Sequence, residues 1–114
     1  MFLENPTPPP LLGEVEEKIK RWAETVPQIK RVYLFGSFVK GKKNPSDIDI
    51  AVEIFGRHDE SAEILFFIDH EKELTRLLGY PIDLQKLDEG SSTVRRGVEE
   101  GAIVIFERLA PAFN

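Results

Sequence analysis

Residues 34–52 read Leu-Phe-Gly-Ser-Phe-Val-Lys-Gly-Lys-Lys-Asn-Pro-Ser-Asp-Ile-Asp-Ile-Ala-Val, and this stretch restricts the possible folds more than any other. A glycine–serine turn closes one apolar run, and two aspartates then sit inside the next. Asp49 lies between Ile48 and Ile50 with Val52 beyond, an alternation of period two that predicts a half-buried strand. Residues two apart on a strand share a face, so Asp47, Asp49 and Ala51 point one way and Ile48, Ile50 and Val52 the other. The two carboxylates therefore stand side by side, about 7 Å apart at the backbone.

Such a pair opposes folding unless something compensates it. At an effective dielectric of about 20 the two charges repel by roughly 2 kcal/mol, and aspartate is depleted in strands in any case. A divalent cation between them removes the repulsion. Magnesium suits the site, because it takes oxygen ligands, uses one or two protein carboxylates and shares its shell with phosphates. The turn supplies the complementary half. Arg31 to Phe35 is predicted as a short buried strand ending at Gly36, where glycine lets a ligand approach the backbone closely. Ser37 to Lys40 is predicted to open a short helix whose leading amides offer an anion site. Ser37 adds a hydroxyl, and Lys40, Lys42 and Lys43 add positive charge. A phosphate cradle beside a cation site fits a nucleoside triphosphate.

Gly36-Ser37, nine intervening residues and Asp47-Ile-Asp49 resemble the motif of the polymerase-beta-type nucleotidyltransferases, especially their minimal (MNT) branch. That family needs a third carboxylate on a later strand. Pro81-Ile-Asp-Leu-Gln-Lys-Leu87 offers Asp83, flanked by Ile82 and Leu84 and preceded by a proline that suits a strand entrance. The resemblance extends from the first helix to the last strand. It implies that Asp47 and Asp49 bind two Mg²⁺ ions (Mn²⁺ as a substitute), and that Asp83 completes the catalytic metal and helps activate the attacking hydroxyl. Gly36, Ser37 and Lys40 would hold the triphosphate of ATP. Phe38 stands where many relatives carry arginine, and Lys40 where a second arginine is frequent. Lysine binds phosphate as a point charge without the two-pronged geometry of guanidinium.

The 114 residues suit one domain: a flexible lead over 1–10, a nucleotidyltransferase domain over 11–108 and a tail over 109–114. Val15, Ile19, Trp22, Ala23 and Val26 recur at helical spacing until Pro27. A second strand runs through Ile54. The longest helix is predicted from Ser61 to Leu78, with Ile64, Phe67, Ile68, Leu74, Leu77 and Leu78 as its buried stripe and Gly79 at its C-cap. The strand with Asp83, a short helix from Ser91 to Glu100 and a strand over Ala102–Phe106 complete the order. The predicted class is α/β (α+β): a nucleotidyltransferase fold with a mixed four-stranded sheet and helices mainly on one face.

Cysteine is absent, which excludes disulfides and thiolate metal sites. No apolar run is long enough to span a membrane and no basic secretory leader is visible, so a cytoplasmic protein is expected. A net charge of −5 argues against nucleic acid as a direct ligand. Lys42 and Lys43 are expected in a solvated loop, Arg95 and Arg96 on an exposed helix face, and His58 and His70 at the surface.

Only eight residues follow the last predicted strand, so the helical domain that grips an acceptor in many relatives is not expected here. By resemblance, the acceptor is then a partner: a small helical HEPN-type toxin whose tyrosine receives AMP, with this chain as the antitoxin. Two alternatives stand beside it. One is a nucleotidyltransferase subunit acting on a small molecule or an RNA end; the other is a non-catalytic antitoxin that acts by binding alone.

Overall fold

A computed structural model describes residues 8–56, 59–87 and 92–110. The elements run α1 (Leu12–Glu24), β1 (Ile29–Phe35), β2 (Ile48–Ile54), α2 (Glu60–Leu78), β3 (Ile82–Lys86), α3 (Ser92–Glu99) and β4 (Ile103–Glu107). His58, the Ser91 helix start, the lead up to residue 7 and the tail from 111 lie outside the described residues.

The strands form one sheet in the order β3-β2-β1-β4. β1 pairs antiparallel with both β2 and β4, whereas β2 and β3 run parallel. The sheet is therefore mixed, as expected. Its period-two pattern divides the apolar residues between two faces. Val32, Leu34, Ile48, Ile50 and Val52 pack with Val15, Ile19 and Trp22 of α1 and Leu74 and Leu78 of α2 into the main core. Phe35 and Ala51 belong to a smaller cluster with Tyr33, Leu87, Val98 and Ala102. Two helices thus cover one face, and α3 leaves most of the other face open for chemistry.

Local signals fix the helix ends. The Asp59 side chain accepts from the Ala62 amide at 3.3 Å and caps α2. Gly79 closes α2 in the left-handed conformation, its amide bonding the Thr75 carbonyl. α1 ends earlier than the Pro27 boundary, at Glu24. Arg108 gathers carbonyls at and beyond that end: its guanidinium donates to Ala23 and Glu24 of the helix and to Val26, Pro27 and Ile29 after it. Phe106 supports that guanidinium from below, 4.9 Å from ring centroid to Cζ.

The expected stripe of α2 is only partly buried. Leu74 and Leu78 are in the core and Phe67 packs against it, but Ile64, Ile68 and Leu77 are 53%, 45% and 43% exposed. Ile64 to Ile68 are five consecutive apolar residues, and a helix resting on one sheet face can bury only one side of such a run. His70 also departs from the surface expectation. Its ring meets Trp22 and Phe66 edge-on, at centroid distances of 5.5 and 4.4 Å, and its Nδ1 lies 2.9 Å from Glu73 Oε1. The same carboxylate accepts from the Trp22 indole at 2.8 Å, and the His70 bond, helped by the indole bond and opposed by burial, holds its pKa below the ordinary range.

Candidate active site

β1 ends at Phe35, which pairs in register with Asp49 at the start of β2. The next residue, Gly36, adopts φ +82° and lies against Asp49 so closely that a Cβ there would fall 3.0 Å from Asp49 Cγ and nearer still to Oδ2. Glycine is required twice at this position, by backbone conformation and by space.

The chain then makes one helical turn rather than the predicted short helix. Lys40 N bonds Gly36 O at 3.2 Å, and Lys42 N→Ser37 O with Gly41 N→Phe38 O closes the turn, with Gly41 at φ +78°. Phe38 and Val39 pack against the main core and so commit the middle of the loop to burial; Gly41 then ends the helical path. A single turn has little macrodipole. Attraction for an anion here rests on the leading amides and the Ser37 hydroxyl. Lys40 is exposed, with its ammonium 3.8 Å from Glu100, while Lys42 and Lys43 are exposed in the loop.

Two bonds bring the β2 entrance to β3. The Tyr80 hydroxyl donates to the Pro45 carbonyl, and Ile48 N donates to Pro81 O at 2.9 Å. Parallel pairing then sets Asp83 in register with Asp49. One carboxylate oxygen from each of Asp47, Asp49 and Asp83 lies within 4.8 Å of the others, all three side chains half-buried. The three acids singled out from the sequence therefore converge.

Burial, then the charges of Asp47 and Asp83 and a hydrogen bond with Asp83, push the Asp49 carboxyl up to about 6. Among the described residues no lysine, arginine or histidine pairs with any of the three. Three hard oxygen donors with no counter-charge fit a divalent cation well. Two further contacts escaped sequence reading. Gln85 Nε2 donates to Asp83 Oδ2 at 2.9 Å, which the two-residue spacing on β3 could have suggested. Gly97 of α3 rests on the Phe35 ring, where a Cβ would come within 2.9 Å; no sequence pattern points to that contact.

Arg95 and Arg96 are exposed on α3, as expected. Arg95, Tyr33 and Glu53 line a cavity of about 410 Å³ that includes none of the three aspartates. There Tyr33 donates to Glu53 at 2.6 Å and accepts from Arg31 at 3.1 Å. Among the described residues, no helix is long and apolar enough to cross a membrane.

A mixed sheet carrying three convergent carboxylates beside a Gly-Ser turn defines a nucleotidyltransferase. The chain belongs to the family described as Polymerase beta, Nucleotidyltransferase, which it matches over residues 17–110. It is similar to a tri-AMPylated Shewanella oneidensis HEPN toxin in complex with its MNT antitoxin: 25% identity, TM-score 0.65, covering 86% of this chain and 74% of that one. It is also similar to a toxin–antitoxin complex solved with AMP-PNP, at 27% identity and TM-score 0.66, covering 82% and 74%. A third likeness is to the toxin–antitoxin pair MntA–HepT, at 26% identity and TM-score 0.63, covering 84% and 73%. No curated protein matches the chain.

Proposed function

We propose that this chain transfers AMP from ATP to a hydroxyl of a HEPN-type toxin partner, a tyrosine by preference, and so serves as the antitoxin of the pair in the cytoplasm. The convergence of Asp47, Asp49 and Asp83 within 4.8 Å carries the reading, because this arrangement suits transfer to a hydroxyl better than any purely scaffolding role. The likeness to an AMPylated toxin complex and to a complex holding an ATP analogue supports the donor and the acceptor class.

In this reading the three aspartates hold two Mg²⁺ ions, or Mn²⁺, which when bound neutralise the leaving pyrophosphate and acidify the attacking hydroxyl. The protein's own part is positioning. Gly36 leaves room for the Asp49 carboxylate against the turn, and the Ser37 hydroxyl donates to the triphosphate. Lys40 exchanges its exposed contact with Glu100 for a phosphate oxygen. Asp83 stands on an edge strand, the side from which a partner can bring its hydroxyl into line. The acceptor hydroxyl gives its proton to the Asp83 carboxylate, and its oxygen bonds to the α-phosphorus as the bridge to the β-phosphate breaks and pyrophosphate leaves.

The test is to incubate the purified chain with α-labelled ATP, Mg²⁺ and its cognate helical partner. Label on the partner, lost with Asp47→Asn, is the expected result. Label on a small hydroxylated molecule or an RNA end would reassign the acceptor. Neutralisation of the partner by an unlabelling Asp47→Asn/Asp49→Asn variant would overturn catalysis as the mode of action.

A further inference from the structure

We propose that Gln85 is a positioning residue for Asp83: it orients that carboxylate toward the shared cation site without neutralising it. The inference rests on the reading of Asp47, Asp49 and Asp83 as cation ligands.

Asp83 and Gln85 are two apart on β3 and so share the open face of the sheet. Their Cα atoms are about 6.6 Å apart, a span that the glutamine amide bridges. The bond is made, from Gln85 Nε2 to Asp83 Oδ2 at 2.9 Å, with both side chains half-buried. Gln85 has no competing polar residue across the ladder, since its register partner is the fully buried Ala51.

Asp83 needs such a constraint more than its neighbours do. β3 is an edge strand, so Asp83 is flanked by a strand on one side only. That flanking position holds Asp49, and Asp47 adds a third negative charge within 4.8 Å. A carboxylate turns easily about its terminal torsion, and repulsion from the other two acts against the inward orientation of Asp83 when no cation is bound. One oxygen held by Gln85 fixes the plane and leaves the other free for the cluster.

The donor's neutrality matters as much as its reach. A lysine or arginine at 85 would orient the carboxylate equally well but would cancel charge that the cation needs. An amide gives the hydrogen bond and leaves all three charges in place. Partners that orient a ligand in this way commonly contribute about 10–100-fold to metal affinity.

The experiment is a Mn²⁺ titration of the isolated chain without nucleotide or partner, with free Mn²⁺ followed by its electron paramagnetic resonance signal. Wild type is compared with Gln85→Leu, Gln85→Ala, Gln85→Lys and Asp83→Asn, each also melted without metal. The expected result is affinity about tenfold lower or worse in Gln85→Leu and Gln85→Ala, with metal-free melting temperatures at the wild-type value in these two neutral variants, and a larger loss of affinity in Gln85→Lys. Wild-type affinity in Gln85→Leu beside weakened Asp83→Asn would overturn the proposal and leave the triad standing. Lost affinity accompanied by lower metal-free melting in both neutral variants would assign Gln85 to the scaffold and overturn it equally. If Asp83→Asn binds Mn²⁺ like wild type, the triad reading fails and the proposal with it.

Discussion

Gly36 and Asp49 occupy adjoining space across the β1–β2 ladder: the position of a Cβ on Gly36 is already filled by the Asp49 carboxylate. The Gly36-Ser37 turn and the central acid are consequently one structural unit. Any side chain at 36 must displace the carboxylate, and φ +82° adds backbone strain.

Gly36→Ala should therefore lower transfer by about 100-fold, the loss expected when a reacting group is moved by about 1 Å. Stability should fall as well, by about 1–3 kcal/mol. Labelled-ATP transfer and thermal melting check the two effects. A variant with wild-type activity would show that the turn and the acid move independently.

The Asp49 carboxyl makes stability depend on pH in a definite direction. Burial and the charges of Asp47 and Asp83 raise it from 3.8 to about 6 in the fold. The folded state thus favours the protonated form more than the unfolded chain does. The stability contributed by this group is fully present below about pH 3.8 and is lost as pH rises through about 6. Glu73, with its pKa lowered, contributes in the opposite sense, so the comparison must be a difference between variants. In metal-free melts, Asp49→Asn should gain on wild type as pH rises across that interval, and Mg²⁺ should abolish the gain. Transfer by the same variant should fall by a factor on the order of 10³, as for other losses of charge stabilisation. A pH-independent difference would mean that Asp49 ionises as freely in the fold as in water.

Much of this was legible in the sequence, for reasons that differ by element. Ile48-Asp49-Ile50 is read correctly because a strand's period of two has no competing helical solution, and Gly79 because its left-handed cap follows a long periodic run. Asp83 carries less local signal; its place beside Asp49 depends on the parallel register of β2 and β3, which no residue in either strand specifies alone. The turn after Gly36 reads as a helix because nothing local shows that the core claims Phe38 and Val39. Arg108 was invisible for a related reason: its five carbonyl acceptors lie 79 to 85 positions earlier in the chain.

Arg108 acts as a remote cap for α1. The last carbonyls of a helix have no partners within it, and here a planar guanidinium reaches Ala23 and Glu24 at the helix end together with Val26, Pro27 and Ile29 on the way into β1. Arg108→Ala should cost about 2 kcal/mol, in the range of hydrogen bonds to charged groups. Arg108→Lys should recover little of it, because an ammonium lacks the fork. Denaturant melts decide the matter, and the metal dependence of transfer should not change in either variant. Full recovery by lysine would mean that charge at the helix end suffices.

The exposed run on α2 offers the sharpest check on how the helix is seated. Ile68 is 45% exposed whereas Leu74, six residues later, is fully buried, although both fit the same apolar stripe when the sequence is read alone. The seating depends on Leu74 and Leu78 entering the core while Glu71 Oε2 accepts from the Leu84 amide at 3.0 Å, tying the helix to the outer edge of β3. Glu63, two turns earlier, holds Lys86 at 2.9 Å. With those attachments α2 cannot roll far enough to bury Ile64 and Ile68. Ile68→Ser should then change stability by no more than about 0.5 kcal/mol. Leu74→Ala should cost about 2–5 kcal/mol through the cavity it leaves. Equal losses in the two variants, measured by denaturant melts of the isolated chain, would place Ile68 in the core and require α2 to be rotated about its axis.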